Sequence, residues 1–229
     1  MILKLNDVTQ RFKSGQHEIE VLSEINLEVT SGESLAIVGP SGSGKTTLLG
    51  LCAGLDRPTL GRVELVDKSI GELSEDQRAV LRRDNVGFVF QNFELISSLT
   101  ALENVSLPLD LIGAKSSRHT AMELLEKVGL KDRAHHYPTQ MSGGEQQRVA
   151  IARAFSNNPK IVFADEPTGN LDEETGAKIE DILFNLNQEK GTTLVLVTHN
   201  LELANKAHRI IELKQGKLTR DQILQKETI

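Results

Sequence analysis

The chain has 229 residues, 38% of them apolar and 25% charged, with a formal net charge of −6. This is enough chain to bury a core as one large domain or two small ones, with the composition of an ordinary globular protein. The acidic balance excludes a general nucleic-acid binder, which needs a basic face, and the lone cysteine, Cys52, excludes an intrachain disulfide and suits a reducing compartment. No stretch approaches the roughly 20 apolar residues of a membrane span. Residues 1–7 lack the apolar core and small-residue cleavage site of a signal peptide. Any service to a membrane is therefore expected to run through a partner.

In chain order, residues 2–5 and 18–29 alternate apolar and polar side chains, which predicts antiparallel strands. Residues 34–38 form a continuous apolar run that ends in a glycine-rich turn, the pattern of a buried strand feeding a helix over 45–54. Cys52, in the apolar run of that helix, reads as a small buried residue. Residues 86–91 predict another strand. From 101 to 155 the pattern is helical, with Met122, Leu125 and Val128 at helical spacing. Further buried strands are predicted at 161–164, 194–197 and 209–213, with a helix over 173–188 between the first two. Strand, helix, strand with apolar strands predicts a mostly parallel sheet covered by helices, into which the middle helices are inserted.

Gly39, Pro40, Ser41, Gly42, Ser43, Gly44, Lys45 and Thr46, with Thr47 following, fit the phosphate-loop pattern. The glycines let backbone N–H groups turn inward around phosphate oxygens. Lys45 reaches the β- and γ-phosphates, the Thr46 hydroxyl ligates Mg²⁺, and the helix behind points its positive end at the anion. The bland alternative is an ordinary glycine-rich turn, but the strand before and the helix after are those the motif requires.

Asp165 and Glu166 end an apolar strand. Asp165 fits the Mg²⁺-holding role of the second motif of phosphate-loop enzymes, and Glu166 can polarise the attacking water. Alone, such a pair would read as solvated surface. His199 follows another strand end, where α/β folds gather their sites, and can bond the γ-phosphate or the water. Gln91 ends a strand too, and its amide can touch Mg²⁺ or water. His135, His136 and His208 have no such setting and read as surface or packing residues.

Ser142, Gly143, Gly144 and Glu145 open a helix. They fit a capping box, so the bland reading is a well-capped ordinary helix. Capping does not require two glycines, however, and glycines at a helix start permit close approach by an anion from outside. The chain has one Asp-Glu pair and one phosphate-loop lysine. This second anion-type start is therefore expected to serve the nucleotide of another copy.

The phosphate loop, Gln91, the Ser142–Gln146 segment, Asp165-Glu166, Asn170-Leu171-Asp172 and His199, in this order, together resemble an ABC-type ATPase over nearly the whole chain. The resemblance implies an α/β phosphate-loop NTPase over residues 1–229, with a core of 1–91 and 158–229. That core has a mostly parallel sheet and an N-terminal antiparallel β subdomain, and an α-helical subdomain of about 92–157 is inserted. It implies ATP and Mg²⁺ as ligands, Glu166 as general base, His199 as switch residue, and Lys45 and Gln91 as further catalytic groups. Thr46, Gln91 and Asp165 would hold the metal. Ser142–Gln146 becomes the signature motif, and residues 170–172 become the loop that communicates across a head-to-tail dimer closing on ATP.

The segments around 87–105 and 163–172 are similar to lipoprotein-release and macrolide-efflux ATPases, closest to the YbbA-like branch. That likeness implies an integral membrane permease-type partner with few spans, export or extraction driven from the inner face of the cell membrane, and no nucleic acid. Phe12 stands where the family usually stacks adenine on tyrosine. Glu145 stands where many members have glutamine, and is expected to point back to its own helix cap. Phe93, Leu95 and Ile96 read either as core or as the lining of a groove for a cytoplasmic helix of the membrane subunit. The rival reading is a soluble or division-associated nucleotide switch with little hydrolysis. Glu166 and His199, both present, argue for hydrolysis.

Overall fold

The structure, a computed structural model, describes residues 1–15 and 17–224. Two compact units divide them: one takes Met1–Arg82 and the segment from Thr193 onward, the other Arg83–Thr192. The first unit starts with strands β1 (Leu3–Ser14), β2 (His17–Val29) and β3 (Ser34–Val38) and helix α1 (Lys45–Cys52). Strands β4 (Leu60–Leu65) and β5 (Lys68–Ser69) follow, then helix α2 (Glu75–Asn85), at whose end the second unit begins.

The second unit contains β6 (Val86–Val89), α3 (Ala101–Leu111), α4 (Ser117–Lys127), α5 (Gly143–Ala154), β7 (Ile161–Asp165) and α6 (Glu173–Lys190). The chain returns to the first unit with β8 (Thr193–Val197), α7 (Leu201–Asn205), β9 (Arg209–Lys214) and β10 (Lys217–Ile223).

In the first unit, β2, β1, β4 and β5 form an antiparallel sheet in that order. The later half of β2 alternates buried and exposed residues, as a strand with one solvated face must. β1 is much longer than residues 2–5 suggested, because it pairs with β2 on one edge and β4 on the other and absorbs irregularities beyond Leu5. Leu3, Leu5, Leu22, Ile25, Leu65 and Ile70 are fully buried beneath this sheet's inner face.

In the same unit β3 lies parallel to both β8 and β9, with Ile37 level with Val197 and Ile211. All residues of β3 and β8 are buried, which is why both read as unbroken apolar runs. The register has a consequence for function: the turns after Val38 and Val197 leave at the same end of the sheet.

In the second unit β6 runs parallel to β7, with Val89 level with Ala164, so Gln91 and Asp165-Glu166 also emerge at one end. Phe88 stacks on Phe90 at 5.4 Å and on Phe163 at 6.0 Å between ring centroids. Gly87 lets β6 approach α5, since a Cβ there would lie 2.2 Å from the Ala154 carbonyl oxygen. The helical stretch 101–155 divides into α3, α4 and α5, with α3 and α5 each opened by a capping box, Thr100/Glu103 and Ser142/Glu145. The strand expected over 86–91 stops at Val89, so Gln91 stands on a turn beyond it. α6 continues to Lys190 and ends at Gly191, whose φ of +60° is a left-handed helix stop.

Helices α2 and α7 and strands β4, β5 and β10 carried no sequence signal, because none has a long apolar run. Cys52 is fully buried on α1, and desolvation pushes its thiol up to about 12.

Candidate active site

The first unit carries the phosphate loop. Gly39 is forced by packing: a Cβ there would lie 2.1 Å from the Leu213 carbonyl oxygen of β9. Gly44 has a φ of +99° and sits under Leu22 and Val21, with a Cβ position 2.9 Å from Leu22 Cδ2. Lys45 is buried and spans the loop, donating from Nζ to the carbonyls of Gly39 at 2.9 Å and Pro40 at 3.0 Å. Its ammonium is thereby fixed at the centre of the turn. α1 begins at Gly44 with no side-chain cap and no acid in its first turn, so its first N–H groups and its positive end face outward with nothing to neutralise them.

Ser43 Oγ is buried and has no hydrogen-bond partner. Thr46 is exposed and Thr47 half-buried at the head of the helix. Lysine, uncapped N–H groups and an orphaned hydroxyl around a glycine turn fit a polyphosphate.

His199 lies exposed just past β8, at the sheet end where the phosphate loop emerges. Thr198 N–H donates to the Ile37 carbonyl at 3.2 Å, which ties the two turns together. Asn200 caps α7 directly behind. Phe12 stands 44% exposed on β1, opposite Ile19 of β2. Of the three histidines read as structural, His208 accepts from Ser34 N–H at 3.1 Å through Nδ1, a packing role. Arg133 Nη1 lies 3.1 Å from His136 Nε2, and the Nδ1 of His136 is buried with no hydrogen-bond partner.

The second unit carries Gln91, Asp165 and Glu166. Gln91 and Asn170 exchange hydrogen bonds: Gln91 Nε2 donates to Asn170 Oδ1 at 3.2 Å, and Asn170 Nδ2 donates to the main-chain carbonyl of Gln91 at 3.1 Å. A Cβ on Gly169 would come within 2.9 Å of Gln91 Nε2, so the turn after Glu166 packs directly on that amide. Asp172 then caps α6, accepting from Thr175 N–H at 3.0 Å, and this bond holds its carboxyl below the usual range. Residues 170–172 thus link the Gln91 turn to the head of α6.

Two of these turns contain non-glycine residues at positive φ: Glu166 at +45°, and Phe93 and Glu94 at +64° and +48°. Such positions are strained and persist only where neighbours hold them. α5 contributes a hold on each. Arg153 donates to the carbonyls of Glu94 at 2.5 Å and Phe93 at 2.9 Å. Burial presses its guanidinium pKa down from the ordinary value, opposed by the Glu94 charge. Gln147, fully buried, donates to the Pro167 carbonyl at 2.6 Å. Neither residue carried a sequence signal, because a Gln and an Arg on a helix read as solvated surface.

At the head of α5, Ser142 Oγ accepts from Glu145 N–H at 3.3 Å, and the Glu145 carboxylate accepts from Ser142 N–H at 2.8 Å. Glu145 therefore points back to its own cap, as expected, and Arg133 lies 3.3 Å from its other oxygen. The Ser142 N–H, helped by the Ser142 hydroxyl and Arg133, holds its carboxyl below the ordinary 4.5. The two glycines differ. A Cβ on Gly144 would meet Thr175 Cγ2 of α6 at 2.5 Å, whereas on Gly143 it would make ordinary contacts with Leu171 and Phe93, at 3.4 Å and beyond. Gly144 thus has a reason inside its own chain, which capping logic alone did not reveal.

Phe93 turns its ring toward Gly143 rather than outward. Leu95 is half-buried and Ile96 exposed. The second unit does contain a cleft, lined among others by Phe88, Phe90, Glu94, Pro108 and Arg153.

Among the described residues no group of three or more His, Cys, Asp and Glu could hold a metal by itself. Mg²⁺ takes only one or two protein oxygens and completes its shell with water and phosphate oxygens.

A strand, a glycine loop with a buried lysine and an uncapped helix make this chain a phosphate-loop NTPase. The sequence model described as ABC transporter matches residues 22–169. An uncharacterized ABC transporter ATP-binding protein, YbbA of Escherichia coli (strain K12), is 52% identical over 219 residues, covering 95% of this chain and 96% of that one. The lipoprotein-releasing system ATP-binding protein LolD of Wigglesworthia glossinidia brevipalpis is 47% identical, covering 95% of this chain and 96% of its own. The solved dimeric structure of a post-hydrolysis state of the ATP-binding cassette MJ0796, bound to ADP and Pi, matches with a TM-score of 0.90 at 45% identity, covering 99% of this chain and 100% of that one. The chain belongs to the ABC transporter family, as its ATPase component. No helix among the described residues is long and apolar enough to cross a membrane.

Proposed function

We propose that the chain hydrolyses ATP to ADP and phosphate as a head-to-tail dimer that drives a membrane permease-type subunit. The observation that carries this is the presence, in one chain, of a lysine-bearing phosphate loop in one unit and a second anion-type helix start at Ser142 in the other. In this reading Gly39–Thr47 grip the triphosphate, Lys45 neutralises its β- and γ-oxygens, and Phe12 stacks on adenine. Ser142, Gly143 and Gly144 of the second copy close over the γ-phosphate, while the charge of Glu145 stays turned toward its own cap. Thr46, Asp165 and Gln91 hold Mg²⁺, which when bound draws charge from the phosphate oxygens. Glu166 takes the proton of the attacking water, and His199 steadies the water and the γ-phosphate.

The output is export, extraction of lipoproteins or other hydrophobic molecules, or force passed across the membrane. The likeness to LolD supports this range. The place of work is then the inner face of the cell membrane, reached through the partner.

Glu166→Gln tests the core of the reading. Turnover should fall at least ~100-fold, while ATP still binds and dimer accumulates on size exclusion. Hydrolysis at the wild-type rate sinks the assignment of the base. The same trapped variant, loaded with ATP and Mg²⁺ and mixed with solubilised native membranes, should retain a membrane protein of few spans. Recovery of an intact dimer with no membrane protein would favour a soluble switch.

A further inference from the structure

A buried side chain of α5 reaches the turn that bears Glu166. Gln147 is 0% exposed, and its Nε2 donates to the Pro167 carbonyl at 2.6 Å. Its Oε1 is buried and has no hydrogen-bond partner. A half-satisfied buried amide destabilises a fold relative to an apolar side chain of similar size. Leucine or methionine would fill the space but would take this donor from the Pro167 carbonyl, so what the amide supplies beyond packing is that bond.

The bond it makes falls on the residue directly after Glu166, whose φ of +45° is a strained conformation for a side-chain-bearing residue. Pro167 has no N–H, so its carbonyl is the one main-chain hydrogen-bonding group that residue offers a neighbour. The turn then closes on itself, Gly169 N–H donating to the Glu166 carbonyl at 3.0 Å.

We propose that Gln147 is a positioning residue for the hydrolytic base: its bond to the Pro167 carbonyl holds the Glu166 backbone in the conformation that aims the carboxylate at the water. This rests on the reading of Glu166 as that base. Gln147 lies on the helix that Ser142 caps, so one rigid element carries both the anion-type start and the handle on the same chain's base. A displacement of α5 reaches Glu166 through this bond, and the chain can thereby tie hydrolysis to the state of its signature helix.

The test compares the full-length wild type with Gln147→Leu and Gln147→Met, which keep the volume and remove the amide. Steady-state hydrolysis of ATP with Mg²⁺ should show kcat lowered ~10–100-fold with KM changed less than about twofold, the pattern of a misplaced catalytic group. The thermal midpoint should change little, because removal of the orphaned oxygen offsets the unpairing of the Pro167 carbonyl. Added to Glu166→Gln, Gln147→Leu should lower the residual rate no further. If the leucine variant fails to fold, the methionine variant supplies the reading. A folded variant with wild-type kcat, beside an inactive Glu166→Gln, overturns the positioning role and leaves the base intact. A lowered thermal midpoint with a normal kcat per folded molecule marks a structural role and overturns it as well. Wild-type turnover by Glu166→Gln removes the base assignment itself, and this role with it.

Discussion

The phosphate loop and the Gln91–Glu166 half obtain their shapes by different means. In the loop the main chain does the work: glycines occupy positions where a Cβ would collide with backbone or strain φ, and the lysine ties off the loop's own carbonyls. In the other half, residues with full side chains occupy the strained positions, and donors on α5 hold them from outside. The first design is local and stiff. The second is conditional, since the Phe93–Glu94 and Glu166 turns draw part of their support from α5. A site that must be competent in one state and idle in another is better served by the second kind of support on its water-activating side.

Substitutions can break this contrast, and the largest effect should fall on the loop. Gly39→Ala places a methyl against the Leu213 carbonyl, and it should lower stability by about 3 kcal/mol in urea unfolding and abolish ATP binding. Gly42→Ala, with nothing within 4 Å of the new carbon, should lose only about 1 kcal/mol through its φ of +76°. Equal losses at the two positions would refute a packing origin for Gly39.

In the second half, Arg153→Ala unpairs the Phe93 and Glu94 carbonyls and releases a strained pair, for an expected loss of about 2 kcal/mol. Hydrogen exchange should accelerate at residues 92–96 and not in residues 39–46. Faster exchange in both segments would show that the two supports are not separate.

The smallest effect concerns Glu145. Its carboxyl titrates below 4.5 in the folded protein, so its contribution is present above the unfolded value and is lost as pH falls through the lowered one. Glu145→Gln keeps the capping geometry but loses the charge beside Arg133 and the helix start, about 0.5 kcal/mol at pH 7. Urea curves for the two proteins should differ at pH 7 and converge as the pH is taken progressively below 4.5. A gap that persists in acid would mean the charge is not the cause.

The phosphate loop was legible in the sequence, with its strand, its helix and its lysine, because every requirement lies within a few consecutive residues. The same holds for the buried parallel strands, whose apolar runs follow from burial on both faces, and for the Ser142–Glu145 cap, whose partners are three residues apart. β1, β4 and β10 were cut short or missed, because edge and half-solvated strands take their definition from their neighbours. The reciprocal hydrogen bonds of Gln91 and Asn170, the grip of Arg153 on residues 93–94, the bond from Gln147 to Pro167 and the need for glycine at 144 were decided only by the tertiary structure. Each joins residues far apart in the chain, and no local pattern of residue types marks a side chain whose partner is a distant carbonyl. Sequence alone determined that this chain grips a nucleotide triphosphate and belongs with ABC ATPases. The packing of α5 decided how the turns bearing Gln91 and Glu166 are held, because strained turns need donors that only the folded chain brings to them.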